Sequence, residues 1–158
     1  MRAITALVGV VYSLLLVGCG TSAVVKSEYR LSQDEKLKLQ LSTPATASKE
    51  GVAIFRERLS SQLAAKGLLA SADDVSSRIL DVTVTTYTMR DGATRVMLGI
   101  MAGSDNIQST VQIKDQSSGK ILAEFAVESK NSTAWGTSRG LIEEHADEIV
   151  ATLMGTKR

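Results

Sequence analysis

Cys19 is the strongest candidate nucleophile in this chain. It is the only cysteine among 158 residues, and the small residue Gly18 stands directly before it. Residues 3–17 form an almost unbroken apolar run, and Arg2 places a positive charge in front of that run. A positive start, an apolar stretch and small residues before a cut are the parts of a secretory signal. The pattern therefore predicts a secretory signal over residues 1–18.

The sequence Leu16-Val17-Gly18-Cys19 resembles the lipobox of bacterial lipoprotein precursors. The resemblance implies signal cleavage between Gly18 and Cys19, and it implies that Cys19 is the lipidation site, because its thiol would accept a diacylglyceryl group before cleavage. Each buried CH₂ contributes about 0.8 kcal/mol to membrane binding, so two or more acyl chains give a stable anchor. A membrane-spanning helix needs about 20 predominantly apolar residues, whereas this run ends before Gly20. We therefore expect the membrane to be the partner of this protein, and a lipid on Cys19 to attach the protein to it.

Gly20 follows the predicted lipidated cysteine. In the enterobacterial lipoproteins that the motif resembles, aspartate at this position retains the protein in the inner membrane. Glycine here implies an anchor in the outer membrane, with the protein facing the periplasm. The expected organisation is a lipoprotein signal peptide over residues 1–18, a lipidated tether over 19–35 and a periplasmic α+β domain over 36–158.

Charge and composition narrow the classes of function. The formal net charge is +1, and no basic cluster is present, so we expect no nucleic-acid partner. The single histidine, His145, lies beside Glu143 and Glu144 without the spacing of a metal-binding motif. With His145 taken as a structural residue, no other histidine is present to form a catalytic triad with a serine. We predict no catalytic residues, no metal and no cofactor, and we expect His145 to be a half-buried structural residue in a protein that is not an enzyme.

Alternating apolar and polar residues predict the strands. Leu37, Leu39 and Leu41 alternate with polar neighbours, and the same period of two recurs over residues 79–89, 107–114 and 121–128. A further short strand is expected between residues 24 and 31. Residues 115–120 read as a hairpin turn. The pair Asp105-Asn106 is interpreted as solvated turn residues ahead of the strand.

Two segments have the apolar spacing of helices. From Ser48 to Lys66, apolar residues recur at helical spacing, and Gly67 is a natural stop. In the second, Ser138 is the predicted N-cap and Gly155 the end, and the buried face is formed by Ile142, His145, Ile149 and Leu153. The order is strand, strand, helix, three strands and helix. It predicts an α+β fold with a mostly antiparallel sheet of about four to five strands and both helices packed on one face.

Spaced glycines and a turn motif carry a family resemblance. Arg95, Gly99 and Gly103 precede a strand that ends in Asp115-x-x-Ser118-Gly119-Lys120-x-Leu122. This arrangement resembles the DUF4410 type of small Gram-negative lipoproteins, with Ser118 in place of the usual threonine. The likeness covers roughly residues 48–155. It implies the fold and an envelope location, and it supplies no catalytic residues.

An apolar run stands where a polar loop is expected. Its candidate interaction residues are Val96, Met97, Leu98, Ile100 and Met101. Either they cover the edge of the core, or they form an adaptable Met-containing patch that contacts a partner or the membrane. Trp135 is likewise either a lid over the core or an exposed anchor for a protein partner.

Taken together, these patterns predict a membrane-anchored, non-enzymatic envelope lipoprotein. We expect its domain to be a protein-interaction or assembly component of the outer membrane, which binds an envelope protein partner or self-associates. The alternative is a periplasmic small-ligand carrier or sensor, which would need a pocket with convergent polar groups between the helices and the sheet.

Overall fold

Five strands and two helices form the described part of the chain. The computed structural model describes residues 20–27, 29–32, 34–90, 103–133 and 136–155. In chain order the elements are β1 (Gly20–Ser27), β2 (Leu37–Ser42), α1 (Lys49–Ala65), β3 (Arg78–Thr88), β4 (Asp105–Lys114), β5 (Ile121–Asn131) and α2 (Ser138–Leu153). This order confirms the predicted α+β class.

The strands form a single sheet in the order β1-β5-β4-β3-β2. β2 and β3 are parallel, and every other neighbouring pair is antiparallel. β2 and β3 are parallel because α1 connects them: the helix returns the chain to the end of the sheet where β2 began, and β3 starts there. The short turn of residues 115–120 connects β4 to β5, so the two strands form the antiparallel hairpin that the sequence predicts.

The edge strand β1 lies within residues 19–35, the range assigned above to a tether. Gly20 pairs with Lys130, and the pairing with β5 continues to Ser27 with one register shift after Val25. Apart from Lys26, its side chains are small, so little alternation of large apolar and polar residues marks it as a strand. Residues Gly20–Ser27 are therefore part of the sheet.

Each helix begins at a hydroxyl cap. At α1, the Ser48 side chain accepts a hydrogen bond from the Gly51 N–H at 3.1 Å, as expected for a helix that starts after Ser48. At α2, the cap is Thr137, one residue before the predicted Ser138, and its side chain accepts from the Gly140 N–H at 3.0 Å. Thr137 has the extended backbone of a cap, whereas Ser138 already lies within the helix.

Both helices cover the same face of the sheet and enclose an apolar core. From α1 the core receives Phe55, Leu59 and Leu63. The two helices are also joined by a bidentate ion pair in which Arg58 Nε and Nη2 donate to Asp147 at 2.7 Å each. Neither helix in the described residues combines the length and apolarity needed to cross a membrane. The sheet face opposite the helices has no layer of described residues over it.

Candidate functional site

The sequence-predicted site residues fall outside the described parts of the chain. They are Gly18, Cys19, Val96, Met97, Leu98, Ile100, Met101 and Trp135. The structure describes the residues that flank the segments in which these side chains lie. Arg90 and Gly103 flank residues 91–102, Thr133 and Gly136 flank residues 134–135, and Gly20 follows Cys19.

All of these flanking residues lie at one end of the sheet, where β1 and β4 begin and β3 and β5 end. We call this the Gly20 end. The opposite end carries the β4–β5 turn, and we call it the Asp115 end. Both helices begin at the Gly20 end. Ser48 Oγ of the α1 cap lies 3.3 Å from the Tyr87 hydroxyl near the end of β3, and Ser138 Oγ in the first turn of α2 donates to the Arg90 carbonyl at 3.4 Å.

A buried arginine holds the flanking residues together. The Arg90 N–H and Nε donate to Asp105 Oδ1 at 2.8 and 3.1 Å. Its Nη1 donates to the Gly103 carbonyl at 3.0 Å. Its Nη2 donates to the carbonyls of Asn131 and Thr133 at 3.0 and 2.9 Å. The Arg90 and Asp105 side chains are only 4% and 0% exposed, so this cluster fixes the starting points of both undescribed segments at the Gly20 end.

The interpretation of Asp105 as a solvated turn residue is wrong. It is the first residue of β4 and lies on the inward face with Ile107, Ser109 and Val111. The signal was available in the sequence, because the alternation of β4 extends back to position 105. A carboxylate on an inward position indicates a buried partner, and Arg90 is that partner.

His145 is fully buried, not half-buried as predicted. Its Nδ1 lies 2.8 Å from Ser129 Oγ and its Nε2 lies 2.8 Å from Ser109 Oγ. Ser129 Oγ is in turn 2.8 Å from Thr21 Oγ1, so one chain of hydrogen bonds joins β1, β5, α2 and β4. Burial lowers the pKa of His145 to about 3, which keeps the ring neutral at physiological pH. A general acid or base must reach the proton that it transfers, whereas both nitrogens of this enclosed ring are held by serine hydroxyls.

The Asp115 turn explains the motif that carries the family resemblance. Asp115 Oδ1 accepts hydrogen bonds from the Ser117 hydroxyl at 2.6 Å and from the Ser118 N–H and hydroxyl at 2.9 and 2.8 Å. Its other oxygen pairs with Arg78 of β3. The Ser117 and Ser118 hydrogen bonds hold the pKa of Asp115 well below its usual range. Gly119 adopts a φ of 69°, which favours glycine. The motif is therefore a structural turn that also ties β3 to the hairpin.

A surface cleft of about 610 Å³ opens at the Gly20 end, between the N-termini of the two helices. The residues that line it are Thr46, Ser48, Glu50, Gly51, Ile54, Tyr87, Thr88, Met89, Arg90, Ser138, Arg139 and Ile142. The cleft is thus at the ends of the helices, and the space between helices and sheet is occupied by the apolar core. Among the described residues, no group of His, Cys, Asp and Glu side chains could hold a metal ion.

Gly51 allows Tyr87 to pack against the first turn of α1. A Cβ at position 51 would lie 1.9 Å from the Tyr87 hydroxyl oxygen and 3.0 Å from Cζ of the same ring. We expect Gly51→Ala to lower the free energy of unfolding by about 1–3 kcal/mol, the usual cost of overpacking. Urea denaturation measures this loss. In a Tyr87→Ala background the contacts with the ring are absent and only Ser48 Oγ, at 3.0 Å from the Cβ, stays close, so the same substitution should cost much less. A loss of equal size in both backgrounds would contradict the packing explanation.

The outward face of the sheet carries a row of small, uncharged side chains in direct register. The row crosses all five strands and consists of Ser42, Thr83, Thr110, Ala126 and Val24. We call it the small-residue row. Val24 at its edge is 64% exposed.

Charged and amide side chains flank the small-residue row on one side. Lys114 pairs with Asp81, and Lys26 Nζ donates to Glu124 at 2.7 Å. The other oxygen of Glu124 accepts from Gln112 Nε2 at 2.7 Å. The open face therefore has an uncharged centre beside a set of mutually satisfied charges.

Solved structures with a similar fold include two of PelC from Paraburkholderia phytofirmans, both dodecamers. One, a single-residue variant, has a TM-score of 0.64 at 11% identity and covers 88% of this chain and 100% of that chain. The other has a TM-score of 0.63 at 12% identity with the same coverage. A PDZ domain protein from Parabacteroides distasonis has a TM-score of 0.50 at 12% identity and covers 89% of this chain and 36% of that chain. At such identities the likeness establishes the fold alone.

The sequence itself matches one family model. That model is described as a domain of unknown function, DUF4410, and it matches residues 23–136. No curated protein matches the sequence. The matched range includes strands β3 to β5, the Arg90 cluster and the Asp115 turn. Because the match spans most of the sequence, the chain belongs to the DUF4410 family.

Proposed function

We propose that this protein is a lipid-anchored, non-enzymatic component of the outer membrane whose periplasmic domain self-associates as part of an envelope assembly. The observation that carries the assembly role is the open sheet face with its small-residue row. Interface centres are depleted of charged residues and surrounded by a polar rim. The row from Ser42 to Val24 supplies such a centre, and the ion pairs of Asp81 and Glu124 supply part of a rim.

The similar fold of PelC supports self-association as the form of assembly. PelC is a dodecamer in both crystal forms. Small side chains on a sheet let another surface approach closely, and packed sheets lie about 10 Å apart. The same property also suits binding of a different envelope protein, so self-association is the outcome to test first. The apolar residues Val96, Met97, Leu98, Ile100 and Met101, with Trp135, stay candidate contacts in either case.

The anchor is tested on protein made in its native host. Intact-mass spectrometry should show an N-terminus at Cys19 carrying acyl chains, and the protein should sediment with outer membranes. The Cys19→Ala variant should keep its signal peptide or appear in the soluble fraction, because no thiol is present to accept the diacylglyceryl group. An unacylated chain that begins at Met1 in the native host would overturn the anchoring proposal.

The assembly role is tested at the centre of the small-residue row. We expect the full-length protein in mild detergent to elute as an oligomer, and Thr110→Arg to elute as a monomer, since it places a charge in the uncharged centre. Size-exclusion chromatography with light scattering measures the mass. The matched control is Ser61→Arg on the exposed surface of α1, which should leave the oligomer intact. A wild-type protein that is monomeric at all concentrations, with no co-purifying partner, would overturn the assembly role.

The alternative, a small-ligand carrier or sensor, would have to use the cleft of about 610 Å³ at the Gly20 end, because the apolar core fills the space between the helices and the sheet. The volume of the cleft falls within the usual range for ligand pockets, about 300–1,000 Å³. If this alternative is correct, native mass spectrometry of the purified protein should show a bound small molecule. Ile54→Trp, which fills the cleft, should then abolish that binding.

A further inference from the structure

The two ends of the sheet differ in charge. In the described loops of the Gly20 end (residues 43–48, 89–90, 103–104, 132–133 and 136–137), the one charged side chain is Arg90, which is buried against Asp105. The described loops of the Asp115 end instead carry many charged residues of both signs. These are Arg30, Asp34, Glu35, Lys36, Lys66, Asp73, Asp74, Asp115 and Lys120.

The charges nearest to the Gly20 end lie on the adjoining helix turns and strand ends. Lys49 and Arg139 are in the first turns of α1 and α2, and Lys130 pairs with Gly20 across β5 and β1. Glu50 is the acidic residue in the first turn of α1. Two further acidic residues balance these basic side chains. Glu143 pairs with Arg139 at 3.3 Å, and Glu144 lines a cleft with Gly20 and Lys130. A surface whose described loops expose no charge loses little hydration when it lies against zwitterionic lipid headgroups.

The position of β1 links this end of the domain to the proposed anchor. This step rests on the proposed lipidation of Cys19. β1 begins at Gly20, the next residue, and consecutive Cα atoms lie about 3.8 Å apart. The Thr21 hydroxyl is 2.8 Å from Ser129 Oγ, which itself bonds His145, so the first residues of β1 are tied to the core of the domain. A lipid on Cys19 would therefore hold the Gly20 end at the membrane with no spacer.

We propose that the Gly20 end is a membrane-docking surface that lies on the lipid headgroups, with the Asp115 end directed away from the bilayer. The 10 residues of β4 run between the two ends, which at about 3.4 Å per residue separates them by roughly 30 Å. A domain on a flexible tether would show no such preference, because either end could then approach the bilayer.

The test uses acylated full-length protein, purified from its native host and reconstituted in vesicles of phosphatidylethanolamine and phosphatidylglycerol. Because the Cys19 thiol carries the lipid, one introduced cysteine can be labelled with a fluorophore. Ala45→Cys reports on an exposed loop at the Gly20 end, and Ser71→Cys is the matched control in an exposed loop at the Asp115 end. With quencher attached to the headgroups, we expect loss of fluorescence at position 45 and none at position 71.

A second variant separates docking from anchoring. A flexible Gly/Ser spacer of six residues between Cys19 and Gly20 should leave flotation of the protein with the vesicles unchanged and should greatly reduce quenching at position 45. Equal quenching at both positions, or quenching at position 71 alone, in protein that floats would overturn the docking orientation and leave the anchor standing. Protein that carries no acyl chains and does not float would overturn both the anchor and the docking surface.

Discussion

Asp105→Asn is expected to lower the free energy of unfolding by about 3–5 kcal/mol, the typical cost of leaving a buried charge without its partner. Arg90 and Asp105 are 4% and 0% exposed, and Asp105 Oδ1 accepts from both the N–H and the Nε of Arg90. Asparagine keeps the size of the side chain but removes the negative charge, so the guanidinium is left buried and uncompensated. Urea denaturation of the domain, followed by circular dichroism, measures the loss.

The chain contains a matched control for this effect. Arg58 and Asp147 form an ion pair that is bidentate, but their side chains are 39% and 27% exposed. Asp147→Asn should therefore cost no more than about 1 kcal/mol, because water solvates the remaining arginine. Losses of the same size at positions 105 and 147 would show that burial of Arg90 is not the cause.

Lowering the pH from 7 to 5 is expected to destabilise the fold by about 2 kcal/mol through His145 alone. Burial lowers the pKa of this ring from 6.5 to about 3. The unfolded state therefore takes up a proton below pH 6.5 that the folded state refuses until about pH 3. The stabilisation is complete above pH 6.5 and declines as the pH falls through this window. Urea denaturation at each pH measures the slope.

The pH range in which His145 affects stability differs from the range in which the carboxylates do. Hydrogen bonds from Lys26 and Gln112 hold the pKa of Glu124 below its ordinary value of 4.5, so the stability that this group contributes declines only at lower pH. His145→Gln should be less stable at pH 7, because the Ser109 and Ser129 hydroxyls lose their ring partner. It should also lack most of the slope between pH 7 and pH 5. A full wild-type slope in this variant would contradict the assignment.

Asp105→Asn and His145→Gln both remove contacts that hold the Gly20 end together. The Arg90 cluster positions the residues that flank 91–102 and 134–135, and the His145 chain ties Thr21 of β1 to α2. We therefore expect Asp105→Asn and His145→Gln to loosen the end of the domain that is proposed to lie on the membrane. The Asp115 end does not share these contacts.

Much of the fold could be predicted from local patterns. Alternation identified β2 to β5, and helical spacing that stops at Gly67 identified α1, because both signals arise within a few residues of chain. α2 was predicted with its cap one residue too late, since Thr137 and Ser138 are equally suitable caps. β1 was only indicated, because its small side chains carry little alternation.

The sequence by itself determined the elements, the α+β class and the Asp115 turn. Each of these depends on interactions between near neighbours, as in the hydrogen bonds from Ser117 and Ser118 to Asp115. Only the tertiary structure decided the strand order, the identity of the partner of Asp105 and the surroundings of His145. Arg90 is 15 residues from Asp105, and Ser109 is 36 residues from His145. Charges and hydroxyls so far apart in the chain meet only when the sheet assembles, so a local pattern could place Asp105 on the inward face but could not identify Arg90 as its partner.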